Sequence, residues 1–297
     1  MSEKKLGKLT VREFFARYPD DDACLTHIME VRFGLRHVCG KCGVEGTFHK
    51  LSERRAFSCA SCGDHVYPCA GTIFQDSRTP LQVWFYAIYL FVATRHGVSG
   101  KELERTLGVT YKTAWRMGQQ IRLLMARADN FEALQGHIEM DETLVGGYRP
   151  GKRGRGAAGK TIVFGMTERG ERGKMYAQPV PNTRQETIRD VVLGKVKRHS
   201  VVSTDEHGGY ALLFREGYRH GRVNHAAGEY SRYDRHAHAW HHTNKIEGFW
   251  KLFKDSIKST HIHVSSKYMD RYVKEFTFRA NHRAMTNAMF DLLIAAV

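Results

Sequence analysis

The spacing of apolar and polar residues changes character along the chain, and the changes predict its elements. Thr79-Pro80-Leu81-Gln82 combines an N-cap, a proline at the first helical position and a capping-box Gln. The run Val83–Ala93 that follows has eleven apolar residues. A membrane span needs about 20, so this run predicts a buried helix. Ser99-Gly-Lys-Glu102 is a second capping box, opening a short helix that stops at Gly108, and Thr110 caps another running to about Arg127. Ala114, Ile121, Leu124 and Met125 form its apolar side, with Lys112, Arg116 and Gln119 opposite. After Asp129-Asn130 the pattern shortens to that of strands. Ile138–Met140 is one; Thr161–Met166 and Met175–Val180 form a hairpin around Glu168–Gly173. Gln185–Lys197 returns to helical spacing, with Ile188, Val191, Val192 and Val196 on one side, and Ser200–Thr204 is a further strand. The second half therefore predicts an α/β layer with acidic residues at strand ends.

At 297 residues the chain suggests two or three domains, and 42% hydrophobic content is ordinary for a globular protein. Charge changes the picture more. Lys and Arg number 46 against 31 Asp and Glu, a formal net charge of +15, which suits a polyanion such as nucleic acid. Short helix, glycine turn and longer helix then read as a helix-turn-helix, whose Lys112, Arg116 and Gln119 could face a groove. The alternative is a plain helical hairpin with a solvated basic face. Gly154-x-x-x-x-Gly159-Lys160-Thr161 spells a P-loop, but it runs into a β-branched strand where a working P-loop opens a helix. It reads instead as a basic loop whose Lys152, Arg153, Arg155 and Lys160 meet phosphates. Met1–Lys8 is charged and no apolar run follows, so no secretory signal is expected and the protein is read as cytoplasmic and nucleoid-associated.

Four of the six cysteines form Cys39-x-x-Cys42 and Cys59-x-x-Cys62, each pair followed by glycine (Gly43, Gly63). Paired knuckles of this kind give four thiolates for a structural zinc. Two disulfides would be the alternative in a secreted module. Cys24 and Cys69 fall outside the pattern and read as small buried residues, with Cys69 an alternative ligand.

Against the basic background, His137-Ile-Glu139-Met-Asp141-Glu142-Thr143 packs three carboxylates into four positions after a short apolar run. Carboxylates at the mouth of a strand hold a divalent cation, which can face a phosphate. Asp205-Glu206 follows the apolar Val201-Val202. On a later helix Asn244, Glu247, Lys251 and Lys254 fall on one face by their spacing of three, four and three. Glu275 and Arg279 are spaced for a helix ion pair.

These motifs together resemble a known family. Asp141-Glu-Thr-Leu-Val-Gly-Gly147, Ser203-Thr-Asp-Glu-His-Gly-Gly-Tyr210, His242-Thr-Asn-Lys-Ile-Glu-Gly-Phe-Trp250 and Tyr272-Val-Lys-Glu-Phe-Thr-Phe-Arg-Ala-Asn281 are similar to insertion-sequence transposases with an N-terminal zinc ribbon. Gly71-Thr-Ile-Phe74 after the cysteine pairs fits the same family, and the resemblance spans about residues 10–285. It implies an α/β, ribonuclease-H-like catalytic domain of the DDE class, with Asp141 on its first strand, Asp205 on its fourth and a third ligand on a late helix. Some relatives use Asn at the position of Asn244 and others Glu at that of Glu247, so Glu247 is the expected ligand and Asn244 an accessory. Lys254 matches the family's lysine seven residues on.

The implied organisation is an N-terminal helical segment (1–35), a zinc ribbon (36–75), a helix-turn-helix-like region (78–130) and the catalytic domain (135–297). The implied cofactors are two Mg²⁺ or Mn²⁺ ions on Asp141, Asp205 and Glu247, and one Zn²⁺. The implied partners are double-stranded terminal-repeat and target DNA, bound by a homodimer or larger assembly with Lys251 among the phosphate contacts. The rival readings are a zinc-ribbon DNA-binding regulator and a metal-dependent nuclease without strand transfer.

Overall fold

The computed structural model describes residues 9–146, 159–285 and 288–297. The chain divides into two compact units, residues 1–128 with 285–297, and residues 129–284.

In the first unit, helices α1 (Val11–Arg17) and α2 (Asp21–Arg32) start where polar side chains answer their free amides. Thr10 and Glu13 close a reciprocal capping box, and Asp20 accepts from the Ala23 amide. A four-stranded antiparallel ribbon follows: β1 (Arg36–Val38), β2 (Glu45–Lys50), β3 (Phe57–Cys59) and β4 (His65–Val66). Helix α3 spans Leu81–Ala93, but its start differs from the expected Thr79 cap. Pro80 is the N-cap and offers no side-chain bond. Asp21 of α2 instead accepts from the Gln82 amide at 2.9 Å, and Gln82 Nε2 donates to the Tyr18 carbonyl at 2.8 Å. A tertiary neighbour has taken the part that local sequence suggested for a capping box.

Helices α4 (Gly100–Leu107) and α5 (Tyr111–Ala128) form the expected pair, joined through Gly108 at φ +64°, with Ser99 and Thr110 capping them. Lys112 and Arg116 are exposed on α5. Gln119 is not; at 3% exposure it sits in the interior. The reason is the breadth of the buried arc: α5 packs against α3, α4 and the last helix, α9 (Ala288–Ala295). Even Arg122 is interior, its guanidinium over the Phe91 ring and donating to the Val98 carbonyl. Helix α9 is placed differently from the expectation too. Phe290 packs on Phe14, Tyr18 and Phe85, so the end of the chain completes the first unit.

The second unit is built on a five-stranded mixed sheet. Its strands are β5 (His137–Val145), β6 (Thr161–Glu168), β7 (Met175–Val180), β8 (Val201–Thr204) and β9 (Arg219–Arg222), ordered β7-β6-β5-β8-β9. β5, β6 and β7 pair antiparallel, whereas β8 and β9 join parallel to β5. Counted within the unit this is the order 3-2-1-4-5 of the ribonuclease-H-like class. Helix α6 (Gln185–Lys195) covers one face through Ile188 and Val192, against Ile138, Met140, Phe164 and Val202. Helices α7 (Asn244–Ser256) and α8 (Met269–His282) cover the other, packing Ile246, Trp250, Phe253 and Phe276 on Val163 and Ala177. Between β9 and α7 lies a small hairpin, β10 (Arg232–Asp234) and β11 (Ala239–His241).

Candidate active site

Strand geometry sorts the acidic cluster before any electrostatics is considered. Successive side chains on a strand point to opposite faces. Ile138 and Met140 belong to the α6 face, and Val145 to the α7–α8 face. Glu139, Asp141 and Thr143 therefore point with Val145 toward α7, while Glu142 points the other way. Tyr210 confirms the division: its hydroxyl, on the α6 side, donates to Glu142 at 2.6 Å. Burial and the charge of Glu142 push the Tyr210 hydroxyl well above its usual range, so it remains a donor. Gly209 makes the approach possible, because a Cβ there would meet the Thr183 carbonyl at 2.5 Å. The three carboxylates of the motif are thus not one ligand set.

Asp205 reaches Asp141 through register. β5 and β8 run parallel, with Glu139 opposite Ser203. Two residues further on each strand, Asp205 lies beside Asp141 just past the end of β8, on the same face. Its Oδ1 accepts from the His207 amide at 2.9 Å, which holds the turn. The adjoining Glu206 is exposed.

The late helix arrives over the same spot because of a glycine. Asp141 pairs with Gly165 on β6, and a Cβ on Gly165 would lie 2.6 Å from the Trp250 ring and 3.1 Å from Ile246. Only a bare backbone lets α7 sit this close. Asn244, Glu247, Lys251 and Lys254 are all exposed along one strip of the helix, with Ile246, Phe249, Trp250 and Phe253 buried beneath. Thr243 donates to Glu247 Oε1 at 2.6 Å, and His225 Nδ1 lies 3.8 Å from the same oxygen.

The electrostatics record the convergence. Burial, then the charges of Glu142, Asp205 and Glu247, push the Asp141 carboxyl up to about 8. A carboxyl kept largely protonated near neutrality, by burial first and then by its acidic neighbours, marks a site short of positive charge. Oxygen donors with surplus negative charge are the chemistry that suits a hard divalent cation, but among the described residues only the four cysteines are drawn closely enough together to enclose an ion as they stand.

The four cysteines are a tighter cluster. Their Sγ atoms all lie within 4.8 Å of one another, with Cys39 and Cys62 3.7 Å apart. An edge of a tetrahedron with zinc–sulfur bonds of about 2.3 Å is about 3.8 Å long, so these thiols match structural zinc and are too far apart for a disulfide. The two knuckles repeat each other: Gly43 donates to the Cys39 carbonyl and Gly63 to that of Cys59, both at 2.9 Å with positive φ. Amides of Cys42 and Lys41 pull the Cys39 thiol down, toward the thiolate that metal binding requires, while burial and the neighbouring thiols push Cys62 up. Cys24 and Cys69 are buried outside the cluster.

The remaining sequence candidates divide. Lys160 is exposed, directly before β6, so the P-loop spelling does run into a strand. Lys152, Arg153 and Arg155 lie outside the described residues. Glu275 and Arg279 form a buried ion pair at 2.8 Å within α8, and Asn281 of the same motif pins α8 to β7 by bonding the Met175 amide and carbonyl. Sequence reasoning missed a buried network under the site, formed by Glu139, Arg169, His137, Ser203 and His241. Its imidazoles are neutral, burial and then the Arg169 charge taking His137 down to about 3. The Ser203 hydroxyl lies 2.7 Å from His137 and 2.8 Å from His241. Also missed was the hairpin β10–β11, which exposes Tyr233 and Trp240, their rings 5.4 Å apart, beside the exposed Arg232 and Arg235. Interleaved aromatic and basic residues were the available signal.

Comparison with known proteins agrees with this architecture. Residues 133–281 match the ISXO2-like transposase domain and residues 19–65 the transposase zinc-ribbon domain. A relative described as an uncharacterized protein in transposable element ISH50 of Halobacterium salinarum is 27% identical over 270 residues, covering 85% of this chain and 88% of that protein. An uncharacterized transposase-like protein of Haemophilus influenzae is 28% identical over 109 residues, 37% of this chain and 82% of the relative. The crystal structure of the Mos1 strand transfer complex covers 68% of this chain and 76% of that one at 11% identity and a TM-score of 0.23, a likeness too slight to argue from. With the catalytic-domain match extending over half the sequence and the zinc-ribbon match ahead of it, the chain belongs to the ISXO2-like transposases.

Proposed function

We propose that this transposase binds the terminal repeats of its mobile element, cuts the DNA there, and joins the freed end to target DNA. The observation that carries the reading is the convergence of Asp205 and Glu247 on the half-buried Asp141, within a chain of net charge +15. Asp141, Asp205 and Glu247 would hold a pair of divalent cations, Mg²⁺ or Mn²⁺. When bound, such a pair activates an attacking oxygen and clamps the attacking and leaving oxygens of an in-line phosphoryl transfer. Asp141, at the centre, would be a ligand common to both cations. Asn244, one helical turn before Glu247, is the accessory group. Lys251 and Lys254 on the same strip face the position of the substrate phosphates and offset their charge. Lys112, Arg116, Lys160, Lys251 and the Arg232–Trp240 hairpin would contact DNA. The zinc ribbon and the helix-turn-helix-like pair contribute recognition of the repeats.

The test uses the full-length protein and the repeats from its own locus. Asp141→Ala, Asp205→Ala and Glu247→Ala should each abolish cleavage and joining while repeat binding persists. Asn244→Ala should retain activity reduced by roughly 10- to 100-fold, as expected for a group that orients ligands. The reverse order for Glu247 and Asn244 would make Asn244 the third ligand. Cleavage without any strand-transfer product would make the protein a nuclease, and binding without cleavage would make it a regulator.

A further inference from the structure

The start of α7 is held in an unusual way. Its N-cap, Thr243, makes no side-chain capping bond, its hydroxyl being turned to Glu247. The free amides are answered from the sheet. Glu139 Oε2 accepts from the amides of Lys245 at 2.7 Å and Ile246 at 3.2 Å. Its other oxygen accepts from Arg169 Nε at 2.9 Å and lies 3.1 Å from His242 Nδ1. Arg169 in turn donates to the carbonyls of His242, at 2.8 Å, and Trp240. Glu139 is completely buried.

Two facts make this more than a helix cap. Glu139 lies two residues before Asp141 on the same strand and the same face, and the turn of α7 that it holds carries Asn244 and Glu247. A carboxylate at a helix N-terminus is favoured by the helix dipole, and its bonds here fix the helix along its axis and in rotation. The gap between Asp141 and Glu247 is therefore set through Glu139, with Arg169 clamping the segment that leads into the helix. We infer that Glu139 and Arg169 are positioning residues for the third metal ligand: they do not touch metal or DNA, but they set how well Glu247 meets Asp141.

The inference rests on the proposed role of Asp141 and Glu247 as cation ligands. Its test therefore includes a readout independent of catalysis: Mn²⁺ binding to the full-length protein, followed by electron paramagnetic resonance of the free ion. Glu139→Gln keeps shape and one acceptor but loses the charge. It should bind Mn²⁺ roughly 10- to 100-fold more weakly, the usual cost of removing a group that orients metal ligands. Its Mg²⁺ requirement for cleavage should rise in proportion, with activity partly restored at high Mg²⁺, while circular dichroism and affinity for repeat DNA remain those of the wild type. Arg169→Lys, which keeps the positive charge but loses the fork, should shift both in the same direction and serves if Glu139→Gln does not fold. A folded variant with wild-type Mn²⁺ affinity and wild-type Mg²⁺ half-saturation would overturn the inference, as would reduced activity at an unchanged Mg²⁺ requirement. If the wild type binds Mn²⁺ yet cleaves nothing, the proposed function fails while the titration still decides the role of Glu139.

Discussion

The zinc ribbon and the carboxylate site solve the same problem, gathering ionisable side chains, by opposite means. In the ribbon each pair of thiols is arranged by its own turn, Gly43 and Gly63 making the same backbone bond to Cys39 and Cys59. Every element is short, the strands running two to six residues. Few apolar side chains are available to hold such a piece together, and zinc supplies what the core does not. At the carboxylate site Asp141, Asp205 and Glu247 come from two strands and a helix far apart in sequence. Their places are set by parallel pairing of β5 with β8 and by α7 seated over Gly165. Both faces of that sheet are backed by apolar clusters. The first site should depend on its metal to fold; the second should fold with its carboxylates repelling one another.

The sharpest way to break this comparison is to remove one ligand from each region. Cys59→Ser should release zinc and expose the amides of residues 36–66 to exchange, because in small modules metal-binding free energy is folding free energy. Asp205→Ala should leave the sheet's thermal transition nearly in place, since it loses the bond to the His207 amide but also removes a repulsive charge beside Asp141. Metal analysis with hydrogen exchange reads the first, and calorimetry the second; equal melting losses in the two variants would dissolve the distinction.

The next largest effect is expected at the close approach beneath α7. Gly165→Ala would press a methyl into Trp250 and should cost about 1–3 kcal/mol by overpacking. It should lower cleavage beyond the loss of folded protein, by moving Glu247 away from Asp141. Denaturant unfolding and single-turnover cleavage separate the two, and Trp250→Phe in the same chain should recover part of both.

The carboxylate site also makes a pH prediction. Asp141 has its folded value raised from 3.8 to about 8, so between those values the folded state holds more protons than the unfolded state. Its contribution favours folding at low pH and is lost as pH rises toward 8. Mg²⁺ offsets the charge that then appears, so the Mg²⁺-induced rise in melting temperature should be greater above pH 8 than near pH 6. Asp141→Asn should remove that difference in thermal-shift measurements.

The smallest effect concerns the basic surface of the first unit. Arg116→Ala should lower the salt slope of DNA binding by about 1, the value for one lost phosphate contact. A greater loss on repeat DNA than on random DNA would make Arg116 a reader of bases. Gln119→Ala should act through stability rather than DNA affinity, since Gln119 is interior.

What the sequence determined by itself was whatever depends on short-range order. The cysteine knuckles, the caps of α4 and α5, the hairpin β6–β7 and the exposed strip of α7 follow from residue spacing over one or two turns. Asp141, Asp205 and Glu247 are singled out only by the resemblance of their surrounding motifs to a known set; local spacing does not by itself join them. Tertiary structure decided the rest. Asp141 and Glu142 are adjacent in sequence, yet strand parity sends one to α7 and the other to Tyr210. Glu139 looked like a third metal carboxylate, but a buried Arg169 and two helix amides claim it. Gln119 shared a polar spacing with Lys112 and Arg116, but α5 is enclosed on more sides than one apolar stripe implies. In each case the sequence states which groups are polar, and only the fold states which neighbour satisfies them. A buried charge takes the partner that long-range packing brings within reach, and no local pattern encodes that distance.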